Sequence, residues 1–536
     1  MVHLLDCTLR DGGYYNSWDF EPELIADYLR AMAALPADVV EIGFRMMPTD
    51  GGKFKGGCAY CSDEYIRSLD IPDNGLRLAV MVNGADLTKY ADGPASAVDR
   101  LFGPAENSPV ETVRIACHVH AVEDTLPAID RLHALGYKTT VNLMQIAGIS
   151  KQEVSRLARI CSEAPIDILY FADSLGSMVQ DDINQTVDAL RAHWHGPMGF
   201  HAHNNMEWAL ANCIRAIEQG VTWIDGTVLG MGRGPGNART EYMAIELETR
   251  LGRKTNHTPL LALIDKHFRP MHRKYGWGPN PYYYMAGKYG IHPTYIQEMI
   301  GDTRYDGEDI LAVIHHLSAD GGKHYSVDTL EAARNFYSGT PRGTWRPEDM
   351  IKGREVLILG AGPGVRNYQK ALGNYIRKAS PFVMALNTQS NIDSSLIDVR
   401  LACHPVRLLA DHEDHARLPQ PLITPAGMLP EDVRKALPAG KLLDFGLGVR
   451  ADSFEFSDTY CILPNSLVAA YALAVATSGR ATRILLSGFD GYGTDDPRTS
   501  EMQNLLSLYQ AHDQAIDLIS ITPTKYQLPI RSVSTL

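Results

Sequence analysis

Apolar residues in the first half of the chain fall in short blocks at 3–7, 38–44, 77–82, 111–117, 138–144, 167–172, 197–202 and 222–227. Short apolar runs without polar alternation are the mark of strands covered on both faces, as in parallel sheets. Between them, the stretches 22–34, 123–134, 151–162, 181–194 and 207–219 repeat apolar positions at helical spacing. Eight strands with crossover helices in about 250 residues predict a (β/α)8 barrel over 1–254. Residues 255–350 read as a mainly helical appendage. Near 351 the pattern restarts. A strand at 355–359 runs into Gly360-Ala361-Gly362-Pro363-Gly364, a helix reaches Arg377, and a second strand at 382–386 ends at Asn387. Further strands are expected at 396–402, 441–445, 459–463 and 482–487. This predicts a separate doubly wound, Rossmann-like α/β domain over 351–536.

Composition narrows the function classes. A chain of 536 residues exceeds one usual core, and 45% hydrophobic with 21% charged residues describes an ordinary globular protein. A net charge of −13 argues against nucleic acid or an anionic membrane as partner. It leaves room for small anionic substrates, because a local arginine or metal ion overrides the global charge. Met1-Val2-His3-Leu4-Leu5-Asp6 lacks the basic start and apolar run of a signal peptide, and no apolar segment reaches the roughly 18 residues of a membrane helix. Eight cysteines in this length make no disulfide framework, and Cys58-Ala59-Tyr60-Cys61 has no second pair to complete a zinc site. The expected setting is the cytoplasm.

The chemistry gathers at strand ends. Gly199-Phe200-His201-Ala202-His203-Asn204-Asn205 begins as a strand and ends in two histidines at i and i+2, which share a face. An isolated His-x-His also occurs as simple strand closure. Here Asp6-Cys7-Thr8-Leu9-Arg10-Asp11-Gly12-Gly13, at the end of the first strand, adds a carboxylate and a guanidinium. Asp11, His201 and His203 make an oxygen and nitrogen ligand set suited to a divalent ion with open positions. Mn²⁺ leads; Mg²⁺, Zn²⁺, Co²⁺ and Fe²⁺ are alternatives.

Thr8-Leu9-Arg10-Asp11-Gly12, Asp173-Ser174-Leu175-Gly176, His201-Ala202-His203-Asn204 and Gly230-Met231-Gly232-Arg233-Gly234-Pro235-Gly236-Asn237 occur in the order typical of the DRE-TIM metallolyases. Over roughly residues 1–300 the chain resembles that family, closest to its 4-hydroxy-2-oxovalerate aldolase type of pyruvate aldolase. The resemblance implies a barrel whose metal chelates a 2-oxo acid and stabilises the enolate formed as the adjacent C–C bond is made or broken. Arg10 would then sit on the enolate oxygen or pair with Asp11. Asn237 would approach the metal or cap the following helix. Asp173 and Ser174 would support the substrate or cap their own loop. Tyr289 best matches an aldolase tyrosine that reaches the active site from the helical appendage. A homo-oligomer is expected on the same analogy.

Departures from the pattern keep the reaction open. The aldolases carry a histidine base three residues past the aspartate ligand, where this chain has Tyr14. A neutral phenol, with an ordinary pKa near 10, is a weak base at pH 7. His118 and His120, at the end of the fourth strand, are the alternatives for moving the proton. No cysteine lies between Cys213 and Cys403, against a lyase of the hydroxymethylglutaryl-CoA type. Gly232-Arg233-Gly234 differs from the Glu-Arg or Glu-Lys of the acyl-CoA synthases. The leading expectation is an aldolase joining a 2-oxo acid and an aldehyde. A thioester condensing enzyme or lyase, and a catalytically inactive scaffold, are the alternatives. The Gly-rich stretch 50–57, with two lysines, reads as a lid over an anionic substrate or as a long surface loop.

In the appended domain, Gly360, Gly362 and Gly364 form a dinucleotide-like turn, but Asn387 replaces the acidic residue an NAD site wants. Ile484-Leu485-Leu486-Ser487-Gly488-Phe489-Asp490-Gly491-Tyr492 is similar to segments of bacterial sialyltransferase-type domains. That resemblance implies a nucleotide or sugar phosphate, with Gly362 and Gly364 near the phosphates and a sugar-derived aldehyde for the barrel. A structural or partner-binding domain is the alternative.

Overall fold

The structure, a computed structural model, describes residues 2–300, 310–318 and 340–536, apart from 36, 49–53, 74–75, 253, 312, 315–316, 390, 430 and 493–496. The chain divides into two compact units, Met1–Gly301 with Leu317–Tyr325, and Asp302–His316 with Ser326–Leu536.

In the first unit eight parallel strands close into a barrel in sequence order: β1 (His3–Asp6), β2 (Val39–Phe44), β3 (Arg77–Asn83), β4 (Thr112–His118), β5 (Lys138–Met144), β6 (Ile168–Asp173), β7 (Met198–Ala202) and β8 (Trp223–Gly226). Each lies within about a residue of its expected block, because strands buried on both faces carry continuous apolar runs. β1 pairs with both β2 and β8, which closes the ring. Helices such as Pro22–Ala34 and Lys151–Ser162 cover the outside with their apolar faces.

The barrel interior is partly polar. Arg114 of β4, Glu41 of β2 and Asp225 of β8 are fully buried, and the Arg114 guanidinium lies 4.4 Å from the centre of the Tyr170 ring of β6. Gly199 of β7 makes room for that ring, since a Cβ there would come within 2.3 Å of it. Beyond the barrel, the helix Thr258–Leu263 packs on Pro22–Ala34. The helix Pro281–Tyr289 lies against the loops after β6 and β7, where a Cβ on Gly287 would meet Gly176 O at 2.9 Å.

The second unit holds a seven-stranded sheet in the order β13–β12–β11–β10–β9–β17–β18: Leu442–Asp444, Leu422–Thr424, Val399–Leu401, Phe382–Leu386, Glu355–Leu359, Arg483–Ser487 and Leu518–Ser520. All neighbouring pairs are parallel. The winding reverses between β9 and β17, as a doubly wound sheet requires. A small second sheet is formed by β14 (Gly446–Val449), β16 (Tyr460–Leu463) and β15 (Glu455–Phe456). The strand expected at 459–463 therefore exists but belongs to this side sheet. The strands at 422–424 and 518–520, three residues each, have too little sequence for a periodic signal.

Candidate functional site

The first functional segment is placed by Asp6, the last residue of β1. Its carboxylate accepts hydrogen bonds from Thr8 N (2.9 Å), Thr8 Oγ1 (2.5 Å), Tyr28 OH (2.5 Å) and Thr240 Oγ1. These tie the strand end to the short helix Thr8–Gly12 and to the helix after β8, so Arg10 and Asp11 are buried at the barrel mouth. Trp18 Nε1 donates to Arg10 O at 2.8 Å.

Around Asp11 the charged side chains form a closed ring. Arg10 donates from Nη1 to Asp11 and from Nε to Glu41 Oε2 (2.7 Å). Arg114 donates to Glu41 Oε1 (3.1 Å) and to Asp225 Oδ2 (2.7 Å). Asp225 Oδ2 lies 2.9 Å from His201 Nδ1, and His201 Nε2 lies 3.4 Å from Asp11 Oδ2. With Nδ1–H donated to Asp225, the lone pair of His201 is on Nε2, toward Asp11. Asn237 donates to Asp11 Oδ2 at 2.8 Å. Burial raises the Asp11 carboxyl, but the groups around it, the Arg10 guanidinium first, outweigh this and hold it below the usual range.

The donor set fits a divalent ion. Ligand atoms of Cys7, Asp11 and His201 all lie within 4.8 Å of one another. His203 is tied by a backbone bridge to Asn237, its ring centre is 5.2 Å from that of His201, and its Nδ1 is buried with no hydrogen-bond partner among the described residues. His203 is not one of that group of three; it stands beside it, with a buried imidazole nitrogen still to be satisfied. Burial above all pushes the His203 imidazole down to about 3, so it is a neutral donor at pH 7. Cys7 was absent from the expected set. Its thiol is raised by burial and lies 3.5 Å from Gly226 O.

The other expected residues divide. Tyr14 stands at the mouth, edge-on to Trp18 (4.8 Å) and Phe44 (6.2 Å), with the Arg233 guanidinium 4.7 Å from its ring centre. His118 and His120 stack on each other at 5.6 Å at the end of β4, across the barrel from β1, with His120 exposed. Asp173 and Ser174, expected to support the substrate or to cap their own loop, brace loops. Asp173 accepts from Ser177 N (3.0 Å) and Met178 N (3.1 Å), and Ser174 Oγ accepts from Gln145 N (2.9 Å). Tyr289 does not turn inward: it ends its helix 46% exposed, while Tyr283 of the same helix is buried against Gly234. Residues 50–53 of the expected lid lie outside the described residues; Cys58 and Cys61 beside it are buried free thiols.

In the second unit a cavity of about 650 Å³ opens at the reversal of winding, lined by Gly360 and Gly362 after β9, Asn387 after β10 and Gly488 after β17. Its glycine turn does not present open amides. Gly364 N donates to Asp490 Oδ2 at 3.1 Å, and a Cβ on Gly362 would lie 2.2 Å from that oxygen. Close approach of Asp490, rather than of a phosphate, accounts for these glycines.

Sequence reasoning missed Glu41, Arg114 and Asp225. The signal was present: each is a charged residue inside an apolar strand run, and such residues are buried only when paired.

Residues 1–265 match the HMGL-like family model. That match makes residues 1–265, just under half of the chain, an HMGL-like domain. Similar proteins include a 4-hydroxy-2-oxovalerate aldolase of Pelotomaculum thermopropionicum, 28% identical over 250 residues that make up 46% of this chain and 70% of the relative. Another is 4-hydroxy-2-oxovalerate aldolase 2 of Rhodococcus jostii, 29% identical over 49% of this chain and 74% of the relative. Among solved structures, the N-terminal domain of a candidate aldolase from Bacteroides vulgatus is 28% identical with a TM-score of 0.51, covering 56% of this chain and 98% of that one.

Proposed function

We propose that the chain is a carbon–carbon lyase, a divalent-metal-dependent aldolase acting beside the keto group of a 2-oxo acid such as pyruvate. The observation that carries this is the approach of Asp11 to an oriented His201 beside Arg10, with the buried His203 ring next to His201, in an HMGL-like barrel whose relatives are named as aldolases. Asp11, His201 and His203 would hold the ion, with manganese the first choice. The bound ion supplies a Lewis acid that draws electrons from the keto group. Arg10, fixed on two carboxylates, orients the keto oxygen with its remaining N–H. Asn237 keeps Asp11 turned toward the site, and Asp225 keeps the His201 tautomer that leaves Nε2 open. Of the three candidates for moving the proton, Tyr14 is favoured on position: it stands at the mouth three residues past Asp11, whereas His118 and His120 lie at the end of β4. Residues 1–254 are taken as the reacting barrel, 255–350 as its helical cover and 351–536 as a separate domain, in a self-associating cytoplasmic protein.

The test is metal analysis with deuterium exchange of the pyruvate methyl protons. His201→Ala is expected to lose the ion and the exchange, and Cys7→Ser to keep both. Full exchange in His201→Ala would refute the metal assignment.

The cavity of the second unit favours a companion reading, a nucleotide or sugar phosphate bound at the crossing point of the sheet. Because Asp490 closes the glycine turn, the phosphate belongs on the side of Arg407 and His404, after β11. Ligand hydroxyls then face Asp490.

A further inference from the structure

Two residues of the barrel mouth stand out: Tyr14, where a histidine base is expected, and Arg233, in the loop after β8, where the acyl-CoA synthases differ. In the folded protein they touch. The Arg233 guanidinium lies 4.7 Å from the centre of the Tyr14 ring, and Tyr14 is held edge-on by Trp18 at 4.8 Å.

Arg233 is not loosely placed. Gly236 N donates to Arg233 O (3.0 Å), Gly278 N to Gly234 O (2.9 Å), and Trp277 Nε1 to Leu229 O (3.0 Å), so the loop is pinned on both sides of the arginine. Gly234, at φ 53°, lets the chain turn sharply just beyond it. The side chain is half-buried, and its charge is felt at Asp11 and His203.

The two arginines of the mouth differ in what neutralises them. Arg10 is held on Asp11 and Glu41, whereas Arg233 makes no ion pair with a carboxylate among the described residues. Within the ring, Asp11, Glu41 and Asp225 stand against Arg10 and Arg114, leaving one negative charge. A divalent ion turns that into one positive charge, which the carboxylate of a 2-oxo acid balances. Arg233 is then surplus positive charge at the edge of the site. Lys55, whose Nζ is 5.9 Å from the centre of the Trp18 ring, makes the same edge more positive. A half-buried cation lying on an aromatic face, with water excluded on one side, is a receptor for an anion.

We propose that Arg233 determines the second substrate, selecting an aldehyde that carries a carboxylate or phosphate. This rests on the aldolase reading of the barrel. In the condensing direction the 2-oxo acid gives up a methyl proton and its methyl carbon bonds to the aldehyde carbon. The aldehyde C=O π bond breaks, and its oxygen takes up a proton to become a hydroxyl. Nothing is oxidised or reduced. Arg233 touches neither reacting carbon; it holds the far, acidic end of the acceptor while Tyr14 fixes the height of the guanidinium.

The experiment compares wild type, Arg233→Ala and Arg233→Lys, loaded with Mn²⁺, on succinic semialdehyde and glyceraldehyde 3-phosphate against the neutral propanal and glyceraldehyde. Deuterium exchange of pyruvate is measured alongside. A charge-assisted hydrogen bond lost with Arg233→Ala should lower kcat/KM about 10- to 100-fold for the acidic acceptors, mainly through KM. Neutral acceptors and pyruvate exchange should stay near wild type, and Arg233→Lys should recover part of the loss. The preferred acidic acceptor tells carboxylate from phosphate. Equal losses on acidic and neutral acceptors would overturn the assignment, as would a raised KM for pyruvate exchange, which would put the 2-oxo acid carboxylate on Arg233. Absence of exchange in the wild type would overturn the aldolase reading and this inference with it.

Discussion

Asp225→Asn probes the ring that orients the site. Asp225 is fully buried and accepts from Arg114 at 2.7 Å and from His201 Nδ1 at 2.9 Å. Burial raises its carboxyl, and the charges and hydrogen bonds of Arg114 and His201 more than offset this, so it is ionised in the native protein. The amide keeps the shape but removes the charge. Removing one member of a buried ion pair costs about 3–5 kcal/mol. Arg114 keeps Glu41 at 3.1 Å, which places the expected loss at the lower end, about 3 kcal/mol. For a unit of this size that corresponds to roughly 6 °C in Tm. The amide also has a second way to act: its NH2 can face His201 Nδ1 and trap the tautomer whose Nε2 carries the proton. Loss of such an orienting partner weakens metal binding about 10- to 100-fold, or about 1.4–2.7 kcal/mol. Calorimetric titration with Mn²⁺ and thermal unfolding, with and without the ion, measure the two effects separately. A folded Asp225→Asn protein that binds Mn²⁺ within about threefold of wild type would refute the orienting role assigned to Asp225.

Two further outcomes are expected. Burial lifts the Asp173 carboxyl from its ordinary 3.8 to about 7. The folded state therefore holds this proton more tightly than the unfolded one. Its contribution is complete below about pH 4 and is lost as the pH rises to about 7, with a slope near 1.4 kcal/mol per pH unit. Urea midpoints across that range should show the slope in wild type and its absence in Asp173→Asn; parallel curves would contradict it. In the second unit, Asp490→Asn should weaken binding of a nucleoside monophosphate about tenfold by removing a charged acceptor for its hydroxyls. Tighter binding, read by calorimetry, would instead put the phosphate on the glycine turn.

Linear sequence was enough for the barrel and for most of the doubly wound sheet, because parallel strands buried on both faces must be apolar throughout. That constraint is local, so it can be read in blocks of five or six residues. That Asp11, His201 and His203 would gather at the barrel mouth was legible for a related reason: residues at i and i+2 of a strand share a face, and the ends of barrel strands share a rim. Three-residue strands such as Leu422–Thr424 left no such trace. What the sequence alone did not decide is where each polar atom is directed. Asp173 and Ser174 have the chemistry to hold substrate, and local N–H groups claim them first. Tyr283 and Tyr289 stand six positions apart on one helix, not a whole number of turns, so packing buries one and exposes the other. The glycine turn at 360–364 looks like a phosphate cradle until Asp490, over a hundred residues later, is folded against it. The ring of Arg10, Glu41, Arg114, Asp225 and His201 is the clearest case. Its members come from four strands and the short helix after β1, far apart in sequence, and meet only when the barrel closes, because the attraction between buried charges depends on separation in space and not along the chain.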